Sequence, residues 1–106
     1  MLIHSLGSAN LAGVMSKPSP LADSKDVDWD FIIDINLTGT KNCMRAQLHN
    51  ASPSGISIVN TASVSGQRGT ANNACYSAAK AGVVALSRSV ALEVGKLGSR
   101  VNCVSP

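Results

Sequence analysis

The sequence predicts an α/β fold: a parallel sheet of about three strands with two long helices on one of its faces. Three observations lead there. Apolar runs of strand length alternate with longer segments of helical periodicity, in the order strand, helix, strand, helix, strand. Aromatic residues make up 3% of the 106 residues and hydrophobic residues 44%, so the core must come from Val, Ile, Leu and Ala, the composition of sheets covered by helices. Crossovers between parallel neighbours are right-handed, which puts both connecting helices on the same side. The length fits one domain over residues 1–106.

The elements follow in order. Residues 2–9 are a short apolar and small-residue run, expected to be a buried strand that turns at "NLAG". "SKPSPLADSK" reads as a loop. Asp26 is the expected cap of a helix over 27–49. Asp28 and Asp30 lie in its first turn and Lys41 and Arg45 toward its far end, the favourable way round for the helix dipole. Trp29, Ile32, Ile33, Leu37, Met44 and Leu48 recur at three- and four-residue steps and mark its buried face. Gly39 and the β-branched residues weaken its middle, so a kink is expected near Asn36.

"NASPSG" ends that helix, and "ISIVNTAS" reads as the second strand. "VSGQRGTANN" reads as a loop. A second long helix is expected over 73–97, with Ala78, Ala79, Val83, Leu86, Val90 and Val94 along one face and Gly95 and Gly98 ending it. "RVNCVSP" is the last strand, stopped by Pro106. With both helices on one face, alternate residues of "ISIVN" and "RVNCV" should form a bare apolar face, and the first strand should be an open edge. The isolated chain is therefore expected to associate rather than stay a monomer.

Composition narrows the function. The net charge is +3 with no block of Lys or Arg, which gives no sign of a nucleic-acid partner. Cys43, Cys75 and Cys103 form no Cys-x-x-Cys pair, so reduced thiols are expected and no metal site. His4 and His49 have no carboxylate or thiol at ligand spacing. The start lacks a basic segment ahead of its apolar run, and nothing reaches the length of a membrane span. A cytoplasmic protein without a membrane partner is expected.

One constellation carries chemistry. Tyr76 and Lys80 are four residues apart on the second long helix, hence on one face. A lysine cation beside a phenol favours the phenolate, and such a tyrosine can give a proton to a carbonyl oxygen or take one from an alcohol. Ser63 follows the second strand and lies thirteen residues before Tyr76. A strand end and the first turn of the next helix meet at the edge where parallel α/β sheets bind ligands. Taken alone, Tyr-x-x-x-Lys reads rather as an exposed amphipathic pair, and Ser63 as a serine bonding within its loop. A nucleophilic role for Ser63 is disfavoured, because no Gly-x-Ser-x-Gly elbow surrounds it.

In this arrangement the chain resembles the short-chain dehydrogenase/reductase family. "ANLAG" (9–13) resembles its Asn-Asn-Ala-Gly turn, with Leu11 in place of the second Asn. "INLTGT" (35–40) resembles the segment with its catalytic asparagine, "IVNTASVSG" (58–66) the strand and turn with its serine, and "YSAAK" (76–80) its Tyr-x-x-x-Lys. Ala62 replaces a serine of the family, and "RVNCVSP" (100–106) resembles the approach to its Pro-Gly turn. The resemblance implies a Rossmann-type sheet and hydride transfer between NAD or NADP and a small-molecule ketone or alcohol. It implies Tyr76 as general acid/base, Lys80 as its perturber and ribose ligand, and Ser63 as the group orienting the substrate carbonyl. Asn36 would hold a water that relays protons from Lys80. Asn10, Ala12, Gly13 and Pro106 would join Tyr76 and Lys80 along the cofactor.

The family's Gly-rich pyrophosphate loop has no counterpart in this sequence, nor does its C-terminal substrate segment. The resemblance is thus to a central portion of such an enzyme, and the 106 residues alone are not expected to turn over. The other reading is a non-catalytic family member acting as an interaction module. In both cases the helices at 27–49 and 73–97 would be the homo-oligomer contact, by the family's pattern.

Overall fold

The computed structural model describes residues 7–10, 13–15, 17–51 and 55–104. Three strands, β1 (Gly7–Asn10), β2 (Ser57–Thr61) and β3 (Arg100–Val104), form one sheet in the order β1-β2-β3. Both pairings are parallel, and Asn10 is level with Asn60, which is level with Cys103. This is the sheet read from the sequence. Residues 2–6 of the expected first strand and the expected stop at Pro106 lie outside the described residues.

The first long helical segment has three parts: α1 (Asp26–Ile33), a π-helical turn (Asp34–Thr38) and α2 (Gly39–His49). The irregularity falls at Asn36, where a kink was expected. Asp26 is not the cap. It is the first helical residue, preceded by an extended Lys25 with no capping side chain, and its carboxylate acts as a first-turn charge instead. Trp29 of the expected buried face remains 36% exposed.

The expected loop after β2 contains a short helix, α3 (Val64–Arg68), capped by Ser63. The second long helix, α4, runs Ala74–Val94 and tightens into a 3₁₀ turn at Gly95–Leu97. Gly95 therefore stays within helical backbone, and Gly98, at φ 79°, makes the left-handed turn that ends it. Ala78 is exposed; the buried face runs instead through Ala79, Lys80, Val83, Ser87 and Val94.

Met44 of α2, Ile56, Ile58 of β2, Val94 of α4 and Val101 of β3 form the apolar core, with Leu48, Leu86 and Val90 against it. Side chains alternate along a strand, so Ile58, Asn60 and Val101 share the face that meets α2 and α4. The opposite face presents Ser57, Val59 and Thr61, half-buried, and Arg100, Asn102 and Val104, exposed. It is not the apolar face expected: four of those six side chains are polar or charged.

Candidate active site

The site is built at the end of β2. Past Thr61, the chain enters Ala62 and Ser63, and Ser63 turns it into α3. Ser63 is extended (φ −154°, ψ 152°), and its hydroxyl accepts from the Ser65 amide at 3.2 Å. That bond supplies one of the unpaired donors of the helix start. A cavity of about 250 Å³ opens beside it, lined by Gly13, Val14, Met15, Thr61, Ala62, Ser63, Tyr76 and Lys80. The structure thus brings Ser63, Tyr76, Lys80 and Gly13 to one cleft at the C-terminal edge of the sheet.

Tyr76 and Lys80 meet because they sit one turn apart on α4. The Lys80 ammonium lies 5.8 Å from the centre of the Tyr76 ring. Lys80 is only 3% exposed, and its Nζ donates to the Thr61 carbonyl at 3.2 Å. Burial pushes the Lys80 pKa below its ordinary value, and the influence of Cys103 in the other direction is smaller. One bond to Thr61 leaves two ammonium donors for the cavity.

Asn36 is buried in the π turn and is bonded throughout. Its amide donates to the carbonyls of Val14 at 2.8 Å and Ile32 at 3.0 Å, and its Oδ1 accepts from the Val14 amide at 3.2 Å. The Asn36 carbonyl accepts from Thr40 Oγ1 at 2.9 Å. The side chain therefore fastens the Gly13–Met15 loop to the helix. A Cβ added at Gly13 would fall 2.7 Å from Asn36 Oδ1 and 3.0 Å from Lys80 Nζ, so this loop passes against both groups only because the residue is glycine.

Asn10 is the last residue of β1. Its side chain points into the interior, where its amide donates to Asn60 Oδ1 at 2.8 Å and Gln47 Oε1 at 3.1 Å, and its carbonyl accepts from Gln47 at 2.8 Å. Asn60 in turn donates to Ser87 Oγ at 2.9 Å. The strand register dictates this: Asn10 and Asn60 are level and share the helix-facing side. Ala12 and Pro106, the other two expected cofactor positions, lie outside the described residues.

Sequence reasoning missed three features of the site. Thr61, which lines the cavity, supplies the carbonyl that anchors Lys80, and its Oγ1 is buried without a hydrogen-bond partner. The helix α3 was read as loop. A second, larger cavity of about 550 Å³ adjoins the first through Met15, between the Lys17–Lys25 loop, α1 and the start of α4. Leu21, Trp29, Phe31 and Ile32 give it an apolar wall. Cys75 also lines it; burial, with the Asp30 carboxylate adding to it, pushes this thiol's pKa up, so it remains protonated.

Comparison with known proteins gives the family and the fold. The family model described as Enoyl-(Acyl carrier protein) reductase matches residues 1–106. The chain is 48% identical over 103 residues to "Short-chain dehydrogenase/reductase ABA4" of Pyricularia oryzae, covering 94% of this chain and 38% of that protein. It is 42% identical over 96 residues to "Cis-4-hydroxycyclohexanecarboxylate dehydrogenase" of Sinomonas cyclohexanicum, covering 90% and 39%. A crystal structure of a short-chain dehydrogenase from Mycobacterium smegmatis superposes with a TM-score of 0.89 at 39% identity, covering 95% of this chain and 42% of that one. An ElxO variant with NADPH bound superposes with a TM-score of 0.89 at 29% identity, covering 95% and 41%. The chain therefore spans about two fifths of the length of these relatives.

Proposed function

The chain belongs to the short-chain dehydrogenase/reductase family, and from that premise we propose that it carries the acid/base half of a nicotinamide-dependent reduction of a ketone, or oxidation of an alcohol. The observation that supports this most directly is the convergence of Ser63, Tyr76 and Lys80 on one cavity, with the lysine buried and held.

The residues present fit the nicotinamide riboside end of NAD or NADP. Glycine at position 13 leaves room beside the Lys80 ammonium that a Cβ would fill. The two donors that Lys80 keeps beyond its bond to Thr61 suit ribose hydroxyls. When bound, the cofactor supplies or accepts the hydride. Ser63 donates its hydroxyl hydrogen to the substrate carbonyl oxygen, while its own oxygen stays fixed by the Ser65 amide. Tyr76 gives its phenolic proton to that oxygen as negative charge builds there. Lys80 stabilises the charge left on the phenol oxygen, because an ammonium in a buried site acts with little screening. Asn36 contributes position, holding the loop that closes the cavity beside Lys80.

The adjoining apolar cavity suits the body of the substrate. A hydroxycyclohexanecarboxylate dehydrogenase and a 1-oxo-hexahydroindene-carboxyl-CoA reductase are among the relatives, at 42% and 44% identity, and this favours a ring-borne alcohol or ketone. The test is the native protein with NADH or NADPH and a panel of cyclic and open-chain ketones, followed by loss of reduced-cofactor absorbance. Turnover of cyclic ketones that falls at least tenfold with Ser63→Ala is expected. Turnover unaffected by Ser63→Ala would contradict the assignment.

A further inference from the structure

Ser63 is tied to α3 through both of its oxygens. Its hydroxyl accepts from the Ser65 amide at 3.2 Å, and its carbonyl accepts from the Gly66 amide at 2.9 Å. The position of Ser63 therefore follows that of α3, and α3 rests on α4 at Gly66. A Cβ built there would fall 2.8 Å from the Ala81 nitrogen, 2.8 Å from the Lys80 carbonyl carbon and 2.9 Å from Lys80 Cβ, closer than real Cβ atoms come. Two of these atoms are main chain, inside a 21-residue helix with Ala79 and Lys80 buried, so α4 cannot give way. The short helix, five residues long with Arg68 exposed at its far end, is the element that can.

We propose that Gly66 is a positioning residue that sets the spacing between Ser63 and the Tyr76–Lys80 pair through backbone contact of α3 with α4. Any side chain at 66 pushes α3 outward and carries the Ser63 hydroxyl away from the substrate oxygen. Tyr76, Lys80 and the Thr61 carbonyl stay where they are. This rests on Ser63 being the group that orients the substrate.

The experiment is a double-mutant cycle in the native protein with its nicotinamide cofactor and a ketone it turns over. Gly66→Ala is expected to lower kcat at least tenfold with cofactor KM within about twofold, and to cost less than about twofold more in a Ser63→Ala background. Gly95→Ala is the control: a Cβ there meets nothing within 4 Å, and kcat should not change. Independent, additive losses, wild-type kcat in Gly66→Ala, or loss of cofactor affinity would each overturn the proposal. If Ser63→Ala alone keeps full kcat, the reading of Ser63 falls and the positioning role falls with it; if Ser63→Ala is slow and Gly66→Ala is not, only the positioning role fails. Thr70→Val decides the matter should Gly66→Ala not fold. Its hydroxyl lies 2.7 Å from Ser65 Oγ on the exposed side of α3. A several-fold loss of kcat, absent in the Ser63→Ala background, is expected, and wild-type kcat would overturn the proposal.

Discussion

At the scale of single residues, the burial of the Lys80 ammonium costs stability. Lys80 is charged, almost fully buried and held by one protein hydrogen bond. Its folded-state pKa lies below the ordinary lysine value of 10.5. Below that folded-state pKa, both folded and unfolded chains carry the charge, and the desolvation cost is fully present. As pH rises toward 10.5 the folded chain releases its proton first, so the unfolded state binds more protons and stability rises with pH. Lys80→Met should therefore raise the chemical-denaturation midpoint at neutral pH, flatten this alkaline slope and abolish turnover. A variant less stable than wild type at neutral pH would show that the ammonium is a net structural asset. Asn36 makes the opposite case. Asn36→Ala removes both bonds to the part-buried Val14 amide and carbonyl, and each hydrogen bond so lost costs about 0.5–1.5 kcal/mol. Denaturant titration checks the loss, and a change below about 0.5 kcal/mol would contradict it.

At the scale of elements, polar side chains join β1, α2, β2 and α4: Asn10, Gln47, Asn60 and Ser87 form one buried hydrogen-bonded chain. Gln47→Leu keeps the volume but strands the Asn10 carbonyl oxygen and one of its two N–H donors, the other still reaching Asn60. A loss of about 1–3 kcal/mol is expected on thermal or denaturant unfolding, and an unchanged or raised midpoint would contradict the network's role. The sequence showed the long helices and strands plainly, because their apolar spacing repeats over many residues. It also showed the weak point at Asn36, through Gly39 and the β-branched residues around it. It hid α3, because five residues with a glycine at their centre have no helical preference of their own. That helix exists through the Ser63 cap, a local bond, and the contact on α4, a tertiary one. The direction of the Asn10 side chain was hidden for a similar reason. A motif fixes which residue ends the strand, but only the register with Asn60 fixes the side to which its amide turns.

At the scale of the whole molecule, the sheet has one face covered by helices and a second that is largely polar, with Arg100 and Asn102 exposed and Val104 48% exposed. Association should therefore rely less on that face than its strand pattern suggested. It should rely more on the strand edges and on exposed Val27, Phe31, Leu92 and Leu97 of the helical layer. Light scattering after size exclusion is expected to give a mass above 10.9 kDa for the 106-residue chain, reduced by Leu92→Arg; a monodisperse monomer would contradict this. The same chain contains no Gly-x-x-x-Gly-x-Gly sequence, so titration with NADH or NADPH should show no tight site, since pyrophosphate is ordinarily held by backbone amides of such a loop. The family and fold were legible because five short motifs occur in order along the chain; the larger cavity was not, because it is made by side chains from three separate segments. The central claim is that Tyr76 exchanges the proton that accompanies hydride transfer. Its most direct test is single-turnover reduction of a cyclic ketone by the native protein and by Tyr76→Phe, each saturated with reduced cofactor. The account predicts a rate at least about 100-fold lower in the variant, with cofactor affinity changed by less than about threefold; a variant rate within a few-fold of wild type would contradict it.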